Sequence, residues 1–251
     1  MNTSKAPLGH KKGQMTKKTS AAEITKNIWR INTPVDVLGG FSFNQYLLVD
    51  DESLLFHTGL KAHFADIKEA VENIINLSTL KYIAFSHFEG DECGSLNQWL
   101  EAAPNAIPVC SEIAAMTSVD DMALRAAHGL ADGDTLNLGQ HSVKWIQTPH
   151  LPHGWETGYL FETETKTLFC GDLFTQPGFG EPPVVETDIL EISEDFRKPM
   201  DYFSHTSNCE ALIEKLACEN PVLLAAMHGS AWRGDGASLL RKLGKRLVNT
   251  N

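Results

Sequence analysis

Apolar residues along this chain fall into short runs broken by polar turns, and only a few segments carry helical spacing. Strands are predicted over 27–32, 43–50 and 54–57, with the acidic turn Asp50-Asp51-Glu52 between the last two. Ile67, Val71, Ile74 and Ile75 then recur at helical spacing, which predicts a helix over 64–77. An apolar strand over 81–85 follows, then a helix over 95–102, a strand over 107–110 and two short helices within 111–127. Strands return over 135–138, 143–147, 158–162 and 167–170. A long irregular stretch bearing Pro177, Pro182, Pro183 and Pro199 is expected over 173–200. A helix over 205–218, a buried strand over 222–226 and a last helix over 237–248 close the order. Two similar halves, each ending in helix and joined without a linker, fit a single α/β domain. In it two sheets pack between two helical layers.

Composition narrows the class. The 251 residues are 42% hydrophobic and 21% charged, as in ordinary globular proteins. A net charge of −11 argues against nucleic acid and anionic membrane surfaces as partners. Residues 1–18 run against that balance, with Lys5, Lys11, Lys12, Lys17 and Lys18 and no acid. A disordered basic tail is expected over 1–22 and the domain over 23–251. The tail lacks the apolar core of a secretory signal, and no apolar run approaches the ~20 residues that span a bilayer. Five cysteines without CxxC spacing read as reduced thiols in a cytoplasmic protein. Cys110 and Cys170 are expected in the core, and Cys93 lies beside the chemistry described next.

That chemistry gathers at strand ends. Ser86-His87-Phe88-Glu89-Gly90-Asp91-Glu92-Cys93-Gly94 directly follows the apolar run Tyr82-Ile83-Ala84-Phe85. His87, Glu89 and Asp91 stand at alternate positions and converge if the loop stays extended. Carboxylates crowded in this way repel one another unless a cation holds them. His150 ends another strand within Thr148-Pro149-His150-Leu151-Pro152-His153-Gly154, Asp172 follows Gly171, and His228 precedes Gly229. Four apolar strands that each finish in His or Asp before a turn point to one shared metal site.

This ordered set resembles the metallo-β-lactamase fold, a four-layer αββα sandwich, over about residues 25–248. The likeness extends to the strand Asn44-Gln45-Tyr46-Leu47-Leu48-Val49, the Gly171-Asp172 turn, and His228-Gly229 followed by Trp232-Arg233. Hydrolases of that fold carry His-x-His-x-Asp-His, whereas this chain reads His-x-Glu-x-Asp. The change resembles the di-iron branch, the flavodiiron proteins and their single-domain oxygen-binding relatives. The resemblance implies that His87, Glu89 and His150 hold one metal, Asp172 bridges, and Asp91 with His228 holds the second. It implies two iron ions, with manganese or zinc as alternatives; carboxylate in place of imidazole hardens the site toward iron or manganese.

Several positions stay open. Glu92 stands where relatives usually have His, and either binds the second metal or turns away. His153 replaces His150 as ligand if the turn is shifted, although the family pattern places the ligand two residues before Pro152. Tyr202 matches a stretch where flavodiiron proteins carry a Tyr near the iron pair, with core packing as the other reading. His57 is either a support behind the ligands or a turn residue, and His10, His63, His128, His141 and His205 are expected to face solvent. The implied function is a non-haem di-iron oxidoreductase that binds, or binds and reduces, O2 or NO. No flavin is expected in this chain, because no Gly-rich phosphate loop occurs, so electrons come from a separate donor protein. The alternatives are a di-iron oxygen sensor or carrier with a signalling partner, and a hydrolase of thioesters, lactones or phosphoesters. A homodimer is expected from the relatives.

Overall fold

The two halves of the chain build two separate sheets. A computed structural model describes residues 18–248. The first sheet holds β1 (Ser20–Thr25), β2 (Ile28–Val35), β3 (Phe41–Leu48), β4 (Ser53–Phe56), β5 (Leu80–Ala84), β6 (Ile107–Ser111) and β7 (His128–Leu130), in chain order. It is antiparallel as far as β4 and parallel from there. The second holds β8 (Thr135–Asn137), β9 (Ser142–Gln147), β10 (Gly158–Glu162), β11 (Thr167–Phe169), β12 (Val184–Val185), β13 (Leu223–Ala225) and β14 (Ala231–Arg233). Its strand order is β12-β14-β13-β11-β10-β9-β8.

Helices cover both outer faces. The first half contributes α1 (Phe64–Glu72), α2 (Gly90–Cys93), α3 (Leu96–Ala102), α4 (Glu112–Ala114) and α5 (Asp120–Met122). The second contributes α6 (Leu190–Met200), α7 (Cys209–Ala217) and α8 (Gly236–Val248). Period-two alternation splits each strand between two cores. Tyr46, Leu54, Phe56, Trp145, Leu160 and Phe169 meet between the sheets. Leu47, Leu55 and Ile83 face outward onto Ile67, Leu96 and Trp99, while Leu168 and Leu224 face Ile213, Leu240 and Leu243. Three cores between four layers make the expected αββα sandwich. Strands buried on both faces also explain the continuous apolar runs that announced them.

The inter-sheet core sets a first expectation. Phe169 is fully buried, its ring centroid 5.2 Å from Phe56 and 5.6 Å from Tyr46. Phe169→Ala should cost about 3–5 kcal/mol in a denaturant titration of the metal-free protein.

Three boundaries differ from the sequence expectation. β1 starts at Ser20, inside the stretch assigned to the tail, because only Ile24 of this edge strand is buried and its pattern carries no strand signal. Residues 1–17 of that expected tail, with His10, lie outside the described residues. The helix expected to reach 77 ends at Glu72. The stretch expected to be irregular contains β12 and the eleven-residue α6. The buried face of α6 is formed by Leu190, Ser193, Glu194 and Arg197, and Arg197 donates to Glu194 at 2.7 and 2.9 Å. An inward face made of an ion pair leaves no apolar periodicity to read. Among the described residues no helix is long and apolar enough to cross a membrane.

Candidate metal centre

The loops after β5, β9, β11 and β13 meet at one edge of the sandwich. Glu89, extended at φ −139°, starts α2, whose first turn carries Asp91 and Glu92. The Phe88 N–H donates to the buried Glu156 carboxylate at 2.9 Å, tying this loop to the turn between β9 and β10. That turn delivers His153. Its Nε2 lies 2.9 Å from Glu89 Oε2, the same separation as His87 Nε2, and both nitrogens are 3.7 Å from Asp172 Oδ2. His87, Glu89, His153 and Asp172 thus offer four ligand atoms within 4.8 Å of one another. The other oxygen of Asp172, Oδ1, lies 3.2 Å from His228 Nε2, which is 3.5 Å from Asp91 Oδ2. One carboxylate therefore stands between two ligand groups.

The far nitrogen of each imidazole is tied down. His153 Nδ1 is 2.9 Å from the Tyr202 main-chain oxygen, and His228 Nδ1 is 2.9 Å from that of Ser42. A carbonyl only accepts, so both Nδ1 atoms carry hydrogen and Nε2 faces the carboxylates. His87 Nδ1 is 2.8 Å from Ser86 Oγ, and Ser86 donates to Glu92 Oε2 at 3.1 Å. With its one hydrogen directed to Glu92, the Ser86 hydroxyl accepts from His87 Nδ1. All three rings therefore turn Nε2 inward, the orientation that supported metal-binding histidines adopt.

Charge is crowded here. Burial opposes ionisation of Asp172, but the His228, His87 and His153 imidazoles outweigh it and hold the carboxyl below its usual range. Hydrogen bonds from His153 and His87 hold Glu89 far below it, while burial pushes Asp91 up. Burial disfavours charge on all three imidazoles, yet the facing carboxylates raise each to about 9: Glu92, Glu89 and Asp172 for His87, Glu89 and Asp172 for His153, Asp172 and Asp91 for His228. Protons on the rings thus stand in for a cation. Asp172 Oδ1 is buried without an aligned hydrogen-bond partner, although an imidazole nitrogen faces it. A metal ion between those atoms satisfies both. The donors are three carboxylates and three imidazoles without thiolate, since Cys93 Sγ donates to the Glu89 main-chain oxygen at 3.2 Å. That set suits iron or manganese.

Five of the residues singled out by sequence meet here: His87, Glu89, Asp91, Asp172 and His228. His150 does not. It is solvent-exposed at φ 66°, with its N–H donating to the Gly154 carbonyl at 2.7 Å. Leu151 takes the buried place behind it, its carbonyl accepting from Tyr159 Oη at 2.8 Å, and the chain comes back to the site three residues later at His153. Glu92 is also outside the ligand group. It is fully buried behind His87, accepting from Ser86 and lying against His57 Nε2, with Oε1 3.9 Å from His87 Nδ1. His57 is the support rather than a plain turn residue, and its Nδ1 is 3.1 Å from Met227 Sδ. Burial pushes the Glu92 carboxyl up and the His57 imidazole down to about 3.

Tyr202 adjoins the centre and also packs on the second sheet's core. Its hydroxyl donates to the main-chain oxygen of Asp172 at 3.3 Å and its own carbonyl orients His153, so it braces two ligands. Sequence reasoning missed Ser86 and Ser42, and the only signal was the adjacency of Ser86 to His87. His141, expected in solvent, is buried against Glu162 at 3.0 Å.

Comparison with known proteins locates this geometry. The family described as "ODP family beta lactamase" matches residues 41–229. The anaerobic nitric oxide reductase flavorubredoxin of Pectobacterium carotovorum is 27% identical over 218 residues, covering 83% of this chain and 43% of that protein. A diflavin flavoprotein of Nostoc sp. is 25% identical over 179 residues, covering 67% of this chain and 29% of that protein. The chain thus spans less than half the length of these relatives. Among solved structures, a fragment of a diflavin flavoprotein from Nostoc sp. superposes with a TM-score of 0.79 at 20% identity, covering 92% of this chain and 94% of that one. The rubredoxin oxygen:oxidoreductase of Desulfovibrio gigas gives 0.74 at 20% identity, covering 92% and 61%.

Proposed function

Because the chain belongs to the ODP family of β-lactamase-fold proteins, we propose that its clustered imidazoles and carboxylates hold two iron ions and that the protein binds and reduces O2 or NO there. The observation that carries this reading is Asp172, whose two oxygens face two different ligand groups. His87, Glu89 and His153 would hold one ion, Asp91 and His228 the other, and Asp172 both. The chemistry that such a pair supplies when bound is electron transfer to a diatomic ligand.

The protein's own contribution is placement and access. Asp172 and His228 are buried, whereas the Glu89 side chain is half exposed, so the centre opens toward solvent on the Glu89 side. Three carboxylates against two ions also favour a higher oxidation state, as a reductant of O2 or NO requires. The relatives named flavorubredoxin and diflavin flavoprotein support a flavin-bearing electron donor beyond the matched residues, as a separate protein or as part of a homodimer. Five free cysteines suit a reducing compartment such as the cytoplasm.

Anaerobic loading with Fe(II) followed by metal analysis, then mixing with O2 or NO under a mediated chemical reductant, tests the proposal. Two iron ions per chain and repeated gas consumption are expected. A tightly bound zinc pair with no iron uptake overturns the di-iron reading. A single stoichiometric gas uptake without turnover overturns reduction and leaves a binding protein.

A further inference from the structure

A buried cation with no salt bridge among the described residues lies behind the second ligand group. Arg30 on β2 is 2% exposed, yet its guanidinium donates only to neutral acceptors. Nε reaches Asn44 Oδ1 at 2.9 Å, and Nη2 reaches the carbonyls of Gly180 at 2.7 Å and Gly229 at 3.0 Å. Burying a charge is costly unless its hydrogen bonds are met, and here carbonyl and amide oxygens meet them. Of those oxygens, the Gly229 carbonyl belongs to the chain around His228. Ser42, Asn44 and Tyr46 alternate on one face of β3 and grip the same loop. Asn44 Nδ2 donates to the carbonyls of Ala226 at 2.9 Å and Gly229 at 2.8 Å, and Tyr46 Oη donates to that of Ala226 at 2.6 Å. The Gly229 carbonyl thus takes two side-chain donors, one from each of two adjacent strands. Gly229 has φ +89°, and a Cβ there would fall 2.6 Å from Gln176 Cβ, so the loop has little room to shift.

We propose that Arg30 is a positioning residue for the Asp91–Asp172–His228 group: its fork on the Gly229 and Gly180 carbonyls fixes the His228 loop, and the His87–Glu89–His153 group does not depend on it. The inference rests on the two-metal reading above. The second group is the more sensitive because, apart from the shared Asp172, it owns two ligands where the first owns three. Only the planar guanidinium spans both carbonyls and Asn44; an ammonium is a point charge and reaches fewer.

Mn(II) titration of the metal-free protein, with unbound Mn(II) read by electron paramagnetic resonance, gives the two stepwise affinities. In Arg30→Met the weaker step is expected to fall about 10–100-fold, the range for outer-shell changes at metal sites, with the tighter step unchanged. The retained Mn(II) should couple to two imidazole nitrogens in spin-echo spectra, as the His87–His153 group requires. Arg30→Lys keeps the charge on a slightly shorter side chain and should lose about tenfold at the weaker step, so it serves if Arg30→Met does not fold. Equal affinities in wild type and variants, or equal losses at both steps, overturn the inference while leaving the two-metal reading intact. Wild-type protein that binds fewer than two Mn(II) overturns that reading and the inference with it.

Discussion

Asp172→Ala is expected to release both metal ions and to abolish gas consumption. Asp172 Oδ2 lies 3.7 Å from the Nε2 atoms of His87 and His153, and Oδ1 lies 3.2 Å from that of His228. Among the described residues no other carboxylate pairs with imidazoles of both groups. Its loss removes an anionic donor from each and the charge that draws two cations into one site. Outer-shell changes alone cost 10–100-fold in affinity, so loss of a shared ligand should cost at least about 100-fold at each metal. Metal analysis after dialysis would therefore find close to none of two equivalents. Misfolding is distinguishable, because metal-free Asp172→Ala should keep a native circular dichroism spectrum and a cooperative melt, at a temperature lowered by loss of the charge that faces three imidazoles. A variant that keeps two ions at wild-type affinity would contradict the bridging role.

A paired substitution in the turn between β9 and β10 has the second-largest consequence. His153→Ala should lose one metal equivalent and most of the gas consumption, while His150→Ala should keep both. His153 Nε2 is 2.9 Å from Glu89 Oε2 and its Nδ1 is held by the Tyr202 carbonyl, so the ring is oriented from both ends. His150 is exposed in a left-handed conformation on the outside of the same turn. Removing one of the first group's two imidazoles leaves that ion with His87, Glu89 and Asp172 and should weaken it at least about 100-fold, more than an outer-shell change costs. Metal content separates the two histidines directly. Loss in His150→Ala with retention in His153→Ala would restore the family-pattern assignment and reject the observed turn.

The layered sandwich and most of the candidate centre were legible along the chain. Strands buried on both faces must be apolar at nearly every position, so β4, β5, β10 and β13 are visible as runs. A polar residue just past such a run lies at the sheet edge, and His87, Asp172 and His228 follow from that rule alone. Glu89 and Asp91 come with His87 because the extended segment ahead of α2 is short. α6 stayed hidden because Glu194 and Arg197 satisfy each other on its inward face. Which histidine of the β9–β10 turn faces the site was decided by the tertiary structure. It depends on the backbone angle at His150, on Leu151 filling the buried place and on a carbonyl supplied by Tyr202, 49 residues from His153. Glu92 was decided in the same way, by Ser86 and by His57 just past β4, which draw its carboxylate behind His87. Strand ends are local, so a single chain segment encodes them. The direction of a side chain in a turn, and the partner of a buried acid, depend on what distant segments bring to that point.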